Sequence, residues 1–199
     1  MRVYGTSASG NCHKVRMVLE ALKLPYQWTE TDSVRGETRT PAFLAMNPNG
    51  KVPVMEIEPG NYLPESNAIL CYLAEGTPLL PGDRMSRARV MQWLFFEQYS
   101  HEPYIAVARF LRKFHADPAS QRALADSKMA SGYRALEVME QHLKDKSFFV
   151  GERYSIADIA LYAYTHVAHE GGFDLARFPA IRAWLARVQA QPGYVGMPA

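Results

Sequence analysis

Three short stretches of this 199-residue chain gather residue types that could hold and activate a small molecule. The first is Ser9-Gly10-Asn11-Cys12-His13-Lys14-Val15-Arg16, which follows Gly5-Thr6-Ser7-Ala8 and leads into Val15, Met17, Val18, Leu19 and Leu22. That apolar spacing predicts a helix from about Cys12 to Leu22, with Ser9 in the loop at its mouth. The first amides of a helix have no partners inside it and carry a partial positive charge, so an anion such as a thiolate is favoured there. Ser9 and Asn11 stand at that mouth, with Ser7 as a rival hydroxyl. The plainer alternative is that the same residues serve only as turn and cap residues.

The second stretch is Asn47-Pro48-Asn49-Gly50-Lys51-Val52-Pro53-Val54. Proline cannot donate to a strand ladder, so Pro53 belongs at an edge or a bend, and a cis Val52-Pro53 bond gives the sharpest bend. Such a bend turns the Val52 backbone outward, where an incoming peptide can pair with it as an added strand. The third stretch is Pro64-Glu65-Ser66-Asn67-Ala68-Ile69, with Ser66 expected at the N-cap of a helix. A carboxylate bound there would meet the Ser66 hydroxyl and orphan amides, while Glu65 accepts an ammonium. A site with places for an amino-acid head, a peptide backbone and a sulfur fits glutathione.

These stretches sit in a chain that changes character once. The first third predicts strands at Met1–Tyr4, Tyr26–Glu30, Val54–Glu58 and Tyr62–Leu63, with helices at Cys12–Leu22, Pro41–Met46 and Ser66–Glu75, in the order βαβαββα. Thr77-Pro78-Leu79-Leu80-Pro81-Gly82-Asp83 reads as a linker. Beyond it only helices are predicted, at about 86–115, 119–144, 156–169 and 179–190. The expected organisation is an α/β domain over 1–76, a linker over 77–85 and an all-α domain over 86–199.

Composition narrows the function classes. A net charge of +2 with no run of like charges gives no reason to expect nucleic acid, and no apolar stretch is long enough to span a membrane. The chain opens on a strand-like segment without a basic-then-apolar leader. Cys12 and Cys71 are the only cysteines, far apart and each in a predicted helix, so a reducing, cytoplasmic compartment is expected. The six histidines are scattered without metal-ligand spacing, and no metal site is expected.

The ordered set of motifs resembles, end to end, a cytosolic glutathione S-transferase. Ser9, the Asn47-Pro48 to Val52-Pro53 segment, Glu65-Ser66 with Ala68-Ile69, and Gly151-Glu152-Arg153-Tyr154-Ser155-Ile156-Ala157-Asp158 all match the family's pattern. The first loop is similar to the serine-type classes, and Asn11-x-His13-Lys14 to nu-type bacterial members that reduce disulfides with glutathione. The resemblance implies an N-terminal thioredoxin-like domain, in which Ser9-x-x-Cys12 replaces a Cys-x-x-Cys pair, followed by an all-helical domain. It implies glutathione as cosubstrate, no tightly bound cofactor, and a homodimer. By the same resemblance Ser9 donates to the glutathione thiolate and Asn11 assists. Val52 and the cis Pro53 clamp the backbone, Lys51 lies beside it, and Glu65 and Ser66 hold the γ-glutamyl end. Where serine-type relatives often carry His-Lys against the glycyl carboxylate, this chain has Thr38-Arg39, and Arg39 supplies the cation.

The activity implied is transfer of glutathione to an electrophilic small molecule. Two alternatives stand beside it: reduction of disulfides or peroxides by the same thiolate, and a non-catalytic ligand-binding role. The helical domain is expected to supply the electrophile site, with Tyr104 and Arg109 as candidates. Cys12 is expected to face inward and Cys71 to lie in the core. Ser155 and Asp158 read as a capping box, hence structural.

Overall fold

The computed structural model describes residues 1–115, 117 and 119–198. They form two compact units, one of residues 1–75 with the tail from Pro192 onward, the other of Gly76–Gln191. In the first unit, β1 (Arg2–Gly5), β2 (Gln27–Glu30), β3 (Val54–Glu58) and β4 (Asn61–Pro64) make one sheet in the order β2-β1-β3-β4. β1 runs parallel to β2 and antiparallel to β3, and β3 turns through Pro59-Gly60 into antiparallel β4. Helices α1 (Gly10–Ala21), α2 (Pro41–Met46) and α3 (Ser66–Ala74) complete the expected βαβαββα order, with an added 3-10 turn at Glu37–Arg39.

Val3 and Met55 are paired across β1 and β3 and both are fully buried. α1 buries Val15, Val18 and Leu19 and packs against α3, which buries Ile69, Leu70 and Leu73. Proline at the start of α2 needs no amide partner, and the Thr40 hydroxyl caps that helix by accepting from the Phe43 amide. The all-α domain expected to run to the C-terminus gives up its tail to the first unit. Gly193, at φ 75°, lies so close to α1 that a Cβ there would come within 2.8 Å of the Ala21 Cα.

The second unit holds α4 (Arg84–Phe96), α5 (Glu102–Lys113), α6 (Arg122–Leu143), α7 (Ile156–Thr165) and α8 (Pro179–Gln189). The single helix expected over 86–115 is divided by a π turn at Glu97–His101, where the Glu102 amide bonds back to the Glu97 carbonyl. Pro103 has no amide to give the ladder, and a shift to five-residue bonding just before it absorbs the loss. The helix expected over 156–169 ends at Thr165, and a 3-10 turn follows at Ala168–Gly171. Next to that end, His166 turns its Nδ1 to the Tyr162 carbonyl and stacks on the Tyr162 ring.

All ten residues of α7 are buried, and Asp158 ties their surroundings together. Its carboxylate accepts from the Phe149 amide, the Ser155 amide and hydroxyl, and Trp184 Nε1, each at 3.0 Å. The Ser155–Asp158 capping box is therefore present, widened to reach two other segments. Among the described residues no helix is long and apolar enough to cross a membrane.

Burial raises the Asp158 pKa to about 6 against the pull of its four donors. The unfolded value is near 3.9, so between these limits the folded chain holds a proton that the unfolded chain lacks. Lowering the pH through that window adds stability from this group, and raising it through about 6 removes it. Asp158→Asn is expected to lose roughly 2–4 kcal/mol near neutral pH through broken donors. Its deficit should widen by about 2 kcal/mol on going from about pH 7 to about pH 4. Paired denaturant titrations of parent and variant at those pH values measure both effects.

Candidate functional site

Three chain crossings converge at one end of the sheet because of how the strands pair. Tyr4 is paired with Val54 and Val54 with Pro64, so the exit of β1, the entrance of β3 and the exit of β4 lie side by side. Gly5, the last residue of β1, is paired with Glu30 at the end of β2. The loop to α1, the Val52-Pro53 bend and the Glu65-Ser66 turn are thus neighbours by register.

Ser9 is the N-cap of α1, in extended conformation, and its Oγ accepts from the Cys12 amide at 3.4 Å. Ser7 is differently engaged: its amide and hydroxyl both donate to the Glu30 carboxylate, at 2.7 and 2.6 Å. Asn11 Oδ1 accepts from the Ser66 hydroxyl at 3.3 Å, which joins the first turn of α1 to the first turn of α3. The Val52-Pro53 peptide is cis. Pro53 is buried, Val52 half-buried, and the Val52 backbone makes no hydrogen bond among the described residues. Asn47 staples the approach to this bend, with its Nδ2 donating to the Lys51 carbonyl and its Oδ1 accepting from the Asn49 amide. Lys51 is exposed.

Arg39, on the 3-10 turn before α2, reaches the same loop and donates from Nη1 to the Asn49 carbonyl at 3.4 Å. Gly50 makes room for it: a Cβ there would sit 2.5 Å from Nη1. The register and these side-chain bonds gather Ser9, Asn11, Arg39, Lys51, Val52, Pro53, Glu65 and Ser66 around one end of the sheet. What they offer an occupant is a helix mouth, a strand-like backbone edge and a basic loop.

The remaining candidates fare differently. Cys12 is fully buried, and burial pushes its thiol up to about 12, outweighing the Ser9 hydroxyl and the Thr6 backbone. It is a packing residue under the loop, and its Sγ would lie 3.0 Å from any Cβ placed on Gly5, which favours glycine there. Cys71, expected in the core, is half-exposed. Tyr104 is half-buried and, with Phe96, Tyr99, Ser131, Arg134 and Val138, lines a groove of about 270 Å³ in the helical unit. Arg109 corrects the sequence expectation. It is only 4% exposed, its Nε donates to Glu170 at 2.5 Å, and its guanidinium lies over the Phe114 ring. That makes it an internal tie between α5 and the Ala168–Gly171 turn.

Ser66 proves to be the first helical residue of α3, with Glu65 as the cap. Glu65 is exposed, makes no side-chain capping bond and has φ 70° and ψ 111°. A residue with a Cβ at such dihedrals carries strain of about 1–3 kcal/mol, which commonly marks a functional position. No sequence pattern announces this, because strain belongs to the folded backbone. Glu65→Gly is expected to raise the Tm of the ligand-free protein by about 2–4 °C, the equivalent of ~1 kcal/mol. Glu65→Ala keeps the Cβ and should leave Tm near the parent value, a contrast that calorimetry resolves.

Comparison with known proteins identifies the family. The family models described as glutathione S-transferase, N-terminal domain and C-terminal domain match residues 8–75 and 93–192. A crystal structure of a glutathione S-transferase from Pseudomonas fluorescens Pf-5 is 55% identical, covering 100% of this chain and 98% of that one, with a TM-score of 0.97. The disulfide-bond oxidoreductase YfcG of Escherichia coli K12 is 32% identical over 92% of this chain and 87% of its own length. A glutathione transferase from Burkholderia graminis, solved with two glutathione molecules bound per subunit, is 31% identical. It covers 96% of this chain and 84% of that one, with a TM-score of 0.82. By two consecutive domain matches and by end-to-end structural likeness, this chain belongs to the glutathione S-transferase family.

Proposed function

We propose that the chain binds glutathione at this end of the sheet and holds its thiol as a thiolate for attack on an electrophilic small molecule. The observation that carries the reading is the Asn11–Ser66 hydrogen bond, which joins the first turn of α1, where we place the sulfur, to the first turn of α3, where we place the amino-acid head. Ser9 donates to the sulfur and Asn11 assists. Val52 pairs with the cysteinyl backbone behind Pro53, with Lys51 beside it, Glu65 and Ser66 take the γ-glutamyl group, and Arg39 faces the glycyl carboxylate. Tyr104 contributes to the electrophile's pocket.

The energetics are sufficient without a catalytic base. Lowering a thiol pKa of about 8.5 by ~2 units needs ~2.7 kcal/mol of preferential thiolate stabilisation. A hydroxyl donor to an anion contributes roughly 1.5–3 kcal/mol and a helix N-terminus about 0.3–1. The Ser7 hydroxyl is already committed to Glu30, which favours Ser9 for the task.

The same thiolate could instead reduce disulfides, a reading favoured by Asn11 and by the likeness to YfcG. Two glutathiones would then supply the two electrons, leaving two thiols and oxidised glutathione, since the buried Cys12 is unfit to act as the second thiol. A reducing, cytoplasmic setting suits either reaction. A homodimer is part of the proposal, and the exposed Phe95 and Tyr99 on neighbouring turns offer it an apolar face.

Ultraviolet titration of bound glutathione tests the central step. The parent should show thiolate absorbance near neutral pH, and Ser9→Ala should raise the bound thiol pKa by about 1–2 units. Ser7→Ala should shift it much less. Absence of thiolate in the parent would leave only a binding protein. Conjugation of an aromatic halide against reduction of hydroxyethyl disulfide on one preparation separates the two reactions. Light scattering of the parent and of Tyr99→Glu checks the dimer, with a fall to monomer mass expected in the variant.

A further inference from the structure

The loop that presents Ser9 is held from one side by the end of β2. Glu30 Oε1 accepts from the Ser7 amide at 2.7 Å, and Oε2 accepts from the Ser7 hydroxyl at 2.6 Å and from Trp28 Nε1 at 2.8 Å. Beside it, the Thr6 hydroxyl donates to the Thr31 carbonyl at 2.5 Å and the Thr31 amide to the Gly5 carbonyl at 3.0 Å. The Ser9 amide in turn donates to the Thr6 carbonyl at 2.9 Å. Arg16 of α1 lies over the Trp28 ring, 4.4 Å from its centroid, and closes the cluster. Three donors on one carboxylate, two of them from a single loop residue, are more than a surface glutamate needs for solubility. Burial works to raise the Glu30 pKa, but the two Ser7 donors, Trp28 and Arg16 outweigh it, and the carboxyl stays below its ordinary value. It is therefore ionised at neutral pH and accepts from all three.

We propose that Glu30 is a positioning residue for Ser9, anchoring the loop between β1 and α1 through Ser7 and occupying the Ser7 hydroxyl so that Ser9 alone meets the ligand's sulfur. The proposal rests on the reading of Ser9 as the donor to glutathione. Glu30 itself touches no substrate. Its contribution is geometric, because a hydroxyl stabilises an anion only when held at hydrogen-bond distance and angle. As a negative charge it would by itself oppose thiolate formation, so the two effects predict opposite signs on removal.

The test uses the full chain and its Glu30→Ala, Glu30→Gln, Ser7→Ala and Ser9→Ala variants. In ligand-free protein, Glu30→Ala should speed hydrogen exchange at the Ser7 and Ser9 amides by about tenfold or more while Val3 in β1 stays protected. With glutathione bound, its thiol pKa should rise by about one unit, with a roughly fivefold to tenfold loss of kcat/KM near pH ~6.5. KM for glutathione should stay within about twofold, as expected when positioning and not binding is lost. Glu30→Gln, which keeps one acceptor oxygen, should recover part of the effect, and the Ser7→Ala, Glu30→Ala double variant should be no worse than Glu30→Ala. A bound thiol pKa that falls in both Glu30 variants, or does not move, overturns the proposal, as does unchanged amide exchange. If Ser9→Ala leaves the thiol pKa at the parent value, the reading of Ser9 fails, and the positioning role with it. If Ser9→Ala raises it and Glu30→Ala does not, only the positioning role fails.

Discussion

The candidate site hangs on the pairing of β1 with a strand on each side. Because β2 runs parallel to it and β3 antiparallel, the exits of β1, β2 and β4 and the entrance of β3 meet at one edge. The register is fixed by burial. Val3, Met55 and the neighbouring Val54 are all fully buried, and a slip of one residue in either strand would carry each to the opposite face of the sheet. Every group assigned to glutathione by its place near that edge inherits its position from this pairing.

Around the edge, polar bonds do locally what hydrophobic burial does for the core. Asn47 holds the approach to Pro53, Asn11 and Ser66 join two helix starts, and Glu30 and Thr31 hold the loop before α1. These segments bury little apolar area, so without side-chain partners their backbones would have few reasons to adopt one conformation. The exposed, strained Glu65 fits the same picture: the surrounding sheet and helix over-determine a turn that the residue itself disfavours.

The helical unit solves a different problem. α7 is buried all round and has no polar face to orient it, so its start is specified by Asp158, whose donors come from three segments. Arg109 and Glu170 serve similarly where α5 meets the turn at Ala168–Gly171, with Lys113 adding a second cation to Glu170. A charged residue in a helical stretch can thus be internal structure as readily as a ligand contact. Burial and partners, which are properties of the folded chain, distinguish the two.

Element order, the bend at Pro53, the capping box at Ser155 and the motif set of the family were legible in the amino-acid sequence. Each is a local matter: apolar period, proline's missing amide, or residue types at short spacing. Pro103 was equally visible, yet whether it would end the helix or be absorbed by a π turn depended on the packing around Glu97 and His101, both fully buried. Ser9 led in the sequence with Ser7 as a rival, and it is the arrival of Glu30 beside Gly5, through the parallel pairing of β1 with β2, that engages Ser7 and leaves Ser9 at the helix mouth. The one-residue shift of the cap from Ser66 to Glu65, the internal pairing of Arg109 and the return of the tail to α1 were likewise tertiary decisions. Short-range patterns encode what a segment prefers by itself, while distances between segments are set by the register of the sheet and the packing of the core.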